Sequence, residues 1–276
     1  MAHPHSHSHP HPDPHSGSDL GELLDLDADV LHEYHRDAIT WIGSLTPDHA
    51  HVVDLGAGTG IGALALARQL PDAEVVAVDV SEEMLEHLRH KARTLGVGDR
   101  VRTVPADLDQ PWPRLGPADL VWASNSMHHM ADPGRALSQI HAALRPGGLF
   151  AMAELDTFPR FLPDDAGARL EDRCHAAMAA VRAEAGMHMD EDWSARLAEA
   201  GLTVEAQRRF DIVLTPPLPP AAGRYARLSF ERMRGGLDAR LNADDLAALD
   251  ALVTGVEGRD DLTVRATRTV WLARRP

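Results

Sequence analysis

Apolar runs closed by an acid alternate along this chain with stripes of helical period. Val52 to Leu55, Glu74 to Asp79, Arg100 to Val104, Asp119 to Ala123 and Leu149 to Glu154 read as five strands. Between them lie helices. An alanine- and leucine-rich one runs from Ile61 to Leu70, and one beginning at Ser81 turns Met84, Leu85, Leu88, Ala92 and Leu95 inward before Gly96 stops it. A third has Asp132 as its cap and Pro133 in its first turn. It carries Ala136, Leu137, Ile140 and Leu144 and stops at Arg145-Pro146-Gly147-Gly148.

On the N-terminal side, Leu31, Tyr34, Ala38, Trp41, Ile42 and Leu45 recur at helical spacing, which predicts one amphipathic helix over Asp29 to Leu45. Beyond strand five, Asp156 to Asp190 holds a helix with Leu170, Cys174, Met178, Val181 and Ala185 on one face. Trp193, Leu197 and Ala200 mark a short helix ended by Gly201. Strand six is expected near Thr203 to Leu214, and the proline-rich run Thr215 to Pro220 must then break structure. Helices near Ala221 to Arg234 and Ala243 to Val253 precede strand seven, Thr263 to Ala273.

With 276 residues and 30.0 kDa the chain suits one large domain, or a domain with a cap. Its 44% hydrophobic and 25% charged content is ordinary for a soluble globular protein. A formal charge of −15 argues against a groove that tracks nucleic-acid backbones, although a local basic patch would leave tRNA or protein acceptors open. The single cysteine, Cys174, rules out an internal disulfide and sits on an apolar stripe, where packing is its expected role. No apolar run is long enough to span a bilayer and no charged–apolar–small leader opens the sequence, so a cytoplasmic location is expected. Basic charge is almost all arginine, with Lys91 the only lysine, and this composition suits a high-GC bacterial source.

The first eighteen residues differ from the rest. His3, His5, His7, His9, His11 and His15 alternate with Pro, Ser and Asp, a composition expected to be disordered and able to hold divalent metal loosely. No catalytic metal is expected.

The chemistry concentrates in Val52-Val53-Asp54-Leu55-Gly56-Ala57-Gly58-Thr59-Gly60. Glycines there accept positive φ and let a ligand approach bare backbone, and the following helix offers unpaired N–H groups. A pyrophosphate would want no carboxylate beside such a turn. Asp54, directly before the first glycine, suits a ligand with a cationic end.

This arrangement resembles motif I of the class I S-adenosylmethionine-dependent methyltransferases, in the manner of the small-molecule type. The resemblance covers roughly Leu45 to Glu154. It implies an α/β fold, a seven-stranded Rossmann-like sheet flanked by helices, with an N-terminal lid helix and helical cap insertions. The domain layout it suggests is a disordered tail over 1–18, a helical lid over 19–46 and a methyltransferase domain over 47–276, with insertions near 156–190 and 216–262. It also implies S-adenosylmethionine as cofactor, leaving S-adenosylhomocysteine. Gly56, Ala57, Gly58 and Gly60 would form the cradle and Asp79 would accept hydrogen bonds from the ribose hydroxyls. Val80 and Met84 would flank the adenosine, and Asp107 and Leu108 would meet the adenine. Ser124 and Asn125, at the end of strand four, would face the methyl donor. Its last two strands would pair antiparallel.

Methyl transfer from a sulfonium needs alignment more than protein chemistry, and a base only where the acceptor atom is protonated. His128 and His129 are the candidates for that base, against a purely structural role. Tyr34, Trp41, Phe158 and Tyr225 are candidate pocket walls, with Phe161, Met187, His188, Met189, Phe230 and Met233 as further ones; ordinary packing is the competing reading of each. An enclosed pocket favours a small organic acceptor, with O-, N- and C-methylation all open. The alternatives are a catalytically silent relative that binds metal through its histidine tail, and a protein or tRNA methyltransferase.

Overall fold

The computed structural model describes residues 16–163 and 166–276. Seven strands form one sheet in the order β3-β2-β1-β4-β5-β7-β6. They are β1 (His51–Leu55), β2 (Glu74–Asp79), β3 (Val101–Pro105), β4 (Ala118–Ser124), β5 (Leu144–Arg160), β6 (Thr203–Leu214) and β7 (Val264–Arg274). The first five run parallel, and β7 is antiparallel to both its neighbours, β5 and β6. This is the seven-stranded α/β architecture expected, with the antiparallel final pair in place.

Burial explains why the central strands read so clearly. Val52 to Leu55 and Ala118 to Ala123 are buried on both faces, as parallel strands covered by helices must be. One face carries α2 (His32–Gly43), α3 (Ile61–Gln69) and α4 (Glu82–Thr94), which pack with Val52, Val75, Ala77, Leu120 and Trp122. The other carries α5 (Pro133–Ala143) and α7 (Trp193–Glu199), which pack with Val53, Leu55, Val76, Val121 and Ala123. Caps fix the helix starts: Ser81 accepts from Met84 N–H, Asp132 from Arg135 N–H and Asp192 from Ala195 N–H. Each such cap stabilises its helix by about 1 kcal/mol.

Three boundaries differ from expectation. The N-terminal region forms two helices, α1 (Ser16–Val30) and α2, with Leu31 at φ −97° and ψ 27° between them. Residues 16–18, expected in a disordered tail, belong to α1, and the remainder of that histidine-rich tail lies outside the described residues. Strand five begins earlier and ends later than Leu149 to Glu154. Leu144 pairs with Ala118, a bulge takes up the Arg-Pro-Gly-Gly segment, and pairing with β7 continues to Arg160↔Arg265. The extension is held by a partner strand distant in sequence, which local periodicity does not report.

Helices α6 (Ala166–Glu184), α8 (Ala222–Gly235) and α9 (Ala243–Gly255) follow from the segments expected to be helical between the last strands. Phe161, Leu170, Cys174, Tyr225, Phe230 and Leu249 join them to the same apolar layer as α2 and α3. Cys174 is fully buried and burial pushes its thiol up to about 11, so it packs as a small hydrophobe.

Candidate cofactor and acceptor site

The turn after β1 is built from glycines for two separate reasons. Gly56, Gly58 and Gly60 all have positive φ, of 68°, 51° and 86°. A Cβ on Gly56 would also fall 2.6 Å from Ser126 Cβ, and one on Gly60 would fall 2.4 Å from Leu88 Cγ. Ala57 N–H donates to Val78 O and Gly58 N–H donates to Oδ2 of Asp79, tying the turn to the end of β2. Asp79 Oδ1 accepts from Ser81 N–H at 2.8 Å. A carboxylate has about four acceptor sites, so Asp79 keeps capacity for two hydroxyls. Val80 next to it is 72% exposed, which leaves its side chain open to an apolar ligand face.

Asp54 is 2% exposed, and its Oδ2 has no hydrogen-bond partner among the described residues. Burial pushes its carboxyl up to about 7, with Asp79 adding to the rise and the Ala63 N–H opposing it. Its cross-strand neighbour Trp122 also has an unpartnered, buried Nε1. A Cβ on Gly62 would lie 2.2 Å from that Nε1 and 3.1 Å from Asp54 Oδ2, so both orphaned groups press on the first turn of α3, where only glycine fits. A donor or cation reaching Oδ2 would satisfy Asp54, and the residues present therefore fit a ligand with a positively charged end.

Helix α1 lies over this turn. Leu24 Cδ1 would be 3.2 Å from a Cβ on Gly58, and Gly21 faces Thr59 and Met84. Asp25 holds Thr59 Oγ1 at 2.6 Å, Lys91 Nζ at 2.8 Å and His87 Nε2 at 2.9 Å. Asp27 accepts from Tyr225 Oη and Arg268 Nη2 through Oδ1, and pairs with His35 through Oδ2. Burial alone would raise the Asp27 carboxyl, but His35, Arg268 and Tyr225 outweigh it and hold it down to about 2. Glu22 forms a two-pronged pair with Arg224 of α8.

At the end of β4 the backbone is strained. Asn125 is the one described non-glycine residue with positive φ, at 51°, and its buried Oδ1 lacks a partner. The short turn Met127–His129 follows. Glu154, the residue of β5 just past its last pairing with β4, accepts from Met127 N–H at 2.8 Å and meets His128 Nδ1 at 2.5 Å. A carboxylate has no proton to give, so Nδ1 donates to it and Nε2 is the ring nitrogen that Glu154 leaves unengaged. The His129 ring lies 4.2 Å from that of His128. Desolvation by its surroundings lowers its pKa to about 4, with His128 and Arg232 adding to the fall, although the residue as a whole is exposed.

The structure gathers Asp54, Gly56, Ala57, Gly58, Gly60, Asp79, Val80 and Met84 around one turn, and Ser124, Asn125, His128 and His129 at the adjoining strand end. Asp107 is exposed and accepts from Asp109 N–H, and Leu108 is buried with its carbonyl bonded to Trp112 Nε1. Of the wall candidates, Tyr34 and Tyr225 are buried, Tyr34 against Phe210 and Tyr225 against Phe161. Trp41 faces Arg208 of β6, at the sheet edge away from β4, while Phe158 stacks under Arg182. Phe161, Phe230 and Met233 are core residues. Sequence reasoning missed Gly62, Trp122, Glu154, Asp25, Asp27 and Arg268. Glu154 alone carried a readable signal, the same acid at a strand end that marked Asp54 and Asp79. Among the described residues no group of three or more His, Cys, Asp or Glu is placed to hold a metal, and no helix is long and apolar enough to cross a membrane.

Comparison with known proteins points the same way. A family profile described as a methyltransferase domain matches residues 52–148. The 27-O-demethylrifamycin SV methyltransferase of Amycolatopsis mediterranei is 31% identical over 178 residues, covering 64% of this chain and 62% of that protein. The demethylmenaquinone methyltransferase of Thermus thermophilus is 34% identical over 142 residues, covering 51% and 61%. The chain thus spans less than two thirds of the length of these curated relatives. The geranyl diphosphate C-methyltransferase of Streptomyces coelicolor shares the fold with a TM-score of 0.53 at 15% identity, covering 98% of this chain and 88% of that one.

Proposed function

Because this chain belongs to the class I S-adenosylmethionine-dependent methyltransferase family, we propose that it transfers a methyl group from S-adenosylmethionine to a small organic acceptor. The observation that carries this reading is the positive-φ glycine turn flanked by an unsatisfied, buried Asp54 and by Asp79 at the end of β2. Relatives named for demethylrifamycin, demethylmenaquinone and trans-aconitate support an acceptor of small-molecule size.

S-adenosylmethionine supplies a methyl group already activated on a sulfonium. The residues of this chain bind and align. Asp54 counters the cationic end of the ligand, Asp79 accepts from its sugar hydroxyls, and Val80 and Met84 cover apolar faces. Helix α1 lies across the turn and excludes water from it. Glu154 engages Nδ1 of His128, so that Nε2 of the neutral ring can take a proton from a hydroxyl or amine acceptor. His129, held neutral at physiological pH, stands beside it as the other candidate. The test is transfer of labelled methyl from S-adenosylmethionine across a panel of small hydroxylated, amino and carboxylated acceptors. Label appearing only on protein or tRNA would overturn the small-molecule reading.

A further inference from the structure

We propose that Arg182, Arg232 and His129, with the ring of Phe158, form a binding site for an oxyanion carried by the acceptor, a carboxylate or a phosphate. The site lies beside the His128–Glu154 pair. Only the word acceptor rests on the methyltransferase reading; the anion site stands on its own geometry.

The arginines of α8 show what is unusual. Arg224 holds Glu22, Arg227 holds Glu231 and Glu257, and Arg234 holds Asp238 and Asp250. Arg232, on the same helix, has no carboxylate partner among the described residues. On α6, Arg173 holds Asp245 through two nitrogens, whereas Arg182 likewise has none. In a chain with a formal charge of −15, carboxylates are plentiful, so these two gaps do not come from a shortage of acids.

Helices α6 and α8 pack together beside both arginines: a Cβ on Gly236 would lie 3.1 Å from Met178 Sδ, and Arg232 and Arg182 stand about one helical turn from those two residues. The Arg182 guanidinium lies 3.5 Å from the centroid of the Phe158 ring, and Phe158 sits on β5 four residues past Glu154. The loop after α6 is bonded to the same place, since His188 N–H donates to His128 O at 2.9 Å. His129 stacks on His128. The groups feel one another: burial and then Arg232 lower Arg182 to about 10, and Arg232 also contributes to the depressed pKa of His129.

Like charges held together without a counter-ion cost stability, and long exposed side chains ordinarily swing apart. Stacking on Phe158 holds Arg182 in place and leaves its edge nitrogens free for bidentate contact with an oxyanion. An oxyanion arriving there would relieve the repulsion. It would also set its carrier within reach of His128.

The test is calorimetric titration of the full chain with citrate and separately with pyrophosphate, with and without S-adenosylhomocysteine. We expect one of the two anions to bind, and its identity separates a polycarboxylate acceptor from a phosphorylated one. Arg182→Gln and Arg232→Gln should each weaken that binding roughly tenfold or more. Arg182→Lys should keep part of it, and Arg68→Gln, an exposed arginine on α3, should leave it unchanged. Arg232→Gln should also melt no lower than the parent chain without anion, because it removes repulsion. Absence of binding by both anions at millimolar concentration, or parental affinity retained in either glutamine variant, overturns the proposal. Loss of S-adenosylhomocysteine binding with anion binding intact would instead count against the methyltransferase reading.

Discussion

His128 and Glu154 meet at 2.5 Å, Nδ1 to Oε2, with both side chains 4% exposed. They join the turn after β4 to β5 just past the last pairing of those two strands, and the second oxygen of Glu154 takes the Met127 N–H. One carboxylate thus fixes both the ring and the backbone of the turn. Replacing Glu154 with Gln leaves one acceptor where two donors converge. Glu154→Gln is expected to lower stability by about 1–3 kcal/mol in urea denaturation. It should also remove the downfield imidazole N–H signal of His128 in proton NMR. An unchanged signal would mean the pair does not hold the ring.

The raised carboxyl of Asp54 makes a prediction about pH. In the unfolded chain this group titrates near its ordinary value, while in the folded chain it does so at about 7. The folded state then binds more protons across that window, so stability is fully present below the unfolded value and falls as pH rises through 7. The slope is at most about 1.4 kcal/mol per pH unit. Asp54→Asn should flatten it in denaturation curves between pH 4 and pH 7. A cationic ligand favours the ionised form, so its binding near pH 6 should release a proton, seen as buffer-dependent heat in the parent chain and absent in Asp54→Asn.

Gly60 tests the turn itself. Its φ of 86° and the 2.4 Å gap to Leu88 Cγ both oppose any side chain. Gly60→Ala should cost roughly 2–5 kcal/mol, the sum of left-handed strain and overpacking. Adding Leu88→Ala should recover the packing share and leave the strain, so the two substitutions would be non-additive. Strict additivity would show that the helix does not press on the turn.

Much of this was legible because the buried parallel strands β1 and β2 are mostly apolar, and each carries an acid at or next to its C-terminal end. Asp54 and Asp79 stand out against Val52-Val53 and Val75 to Val78 for that reason, and both lie at the turn. The N-terminal region was not legible in the same way. Helix α1 mixes leucines with acids, and its place is set by Asp25 with Lys91, Glu22 with Arg224 and Asp27 with Arg268. Those partners are remote in sequence, so no local period announces them. The overrun of β5 to Arg160 has the same origin, since β7 holds it there.

Asp27 with Arg268 is the most buried of those long-range ties. Arg268 is 1% exposed, and Asp27 is its carboxylate partner. Asp27→Asn would leave a buried guanidinium without its counter-charge and should destabilise the chain by about 3–5 kcal/mol. In the parent chain the carboxyl is held down to about 2, so its contribution is present above the unfolded carboxylate range and fades as pH falls from 4 towards 2. Urea midpoints measured across that range should show the fall in the parent and not in Asp27→Asn.

On the proposed function, the glycine turn and Asp79 hold the adenosyl group of S-adenosylmethionine. Calorimetric titration of the full chain with S-adenosylhomocysteine, beside Asp79→Ala shown by circular dichroism to be folded, tests it most directly. Saturable one-site binding is expected, weakened roughly tenfold or more in the variant through loss of hydrogen bonds of about 1.5–3 kcal/mol to a charged group. Folded protein that takes up no ligand at millimolar concentration, or an Asp79→Ala variant that binds as tightly as its parent, would contradict it.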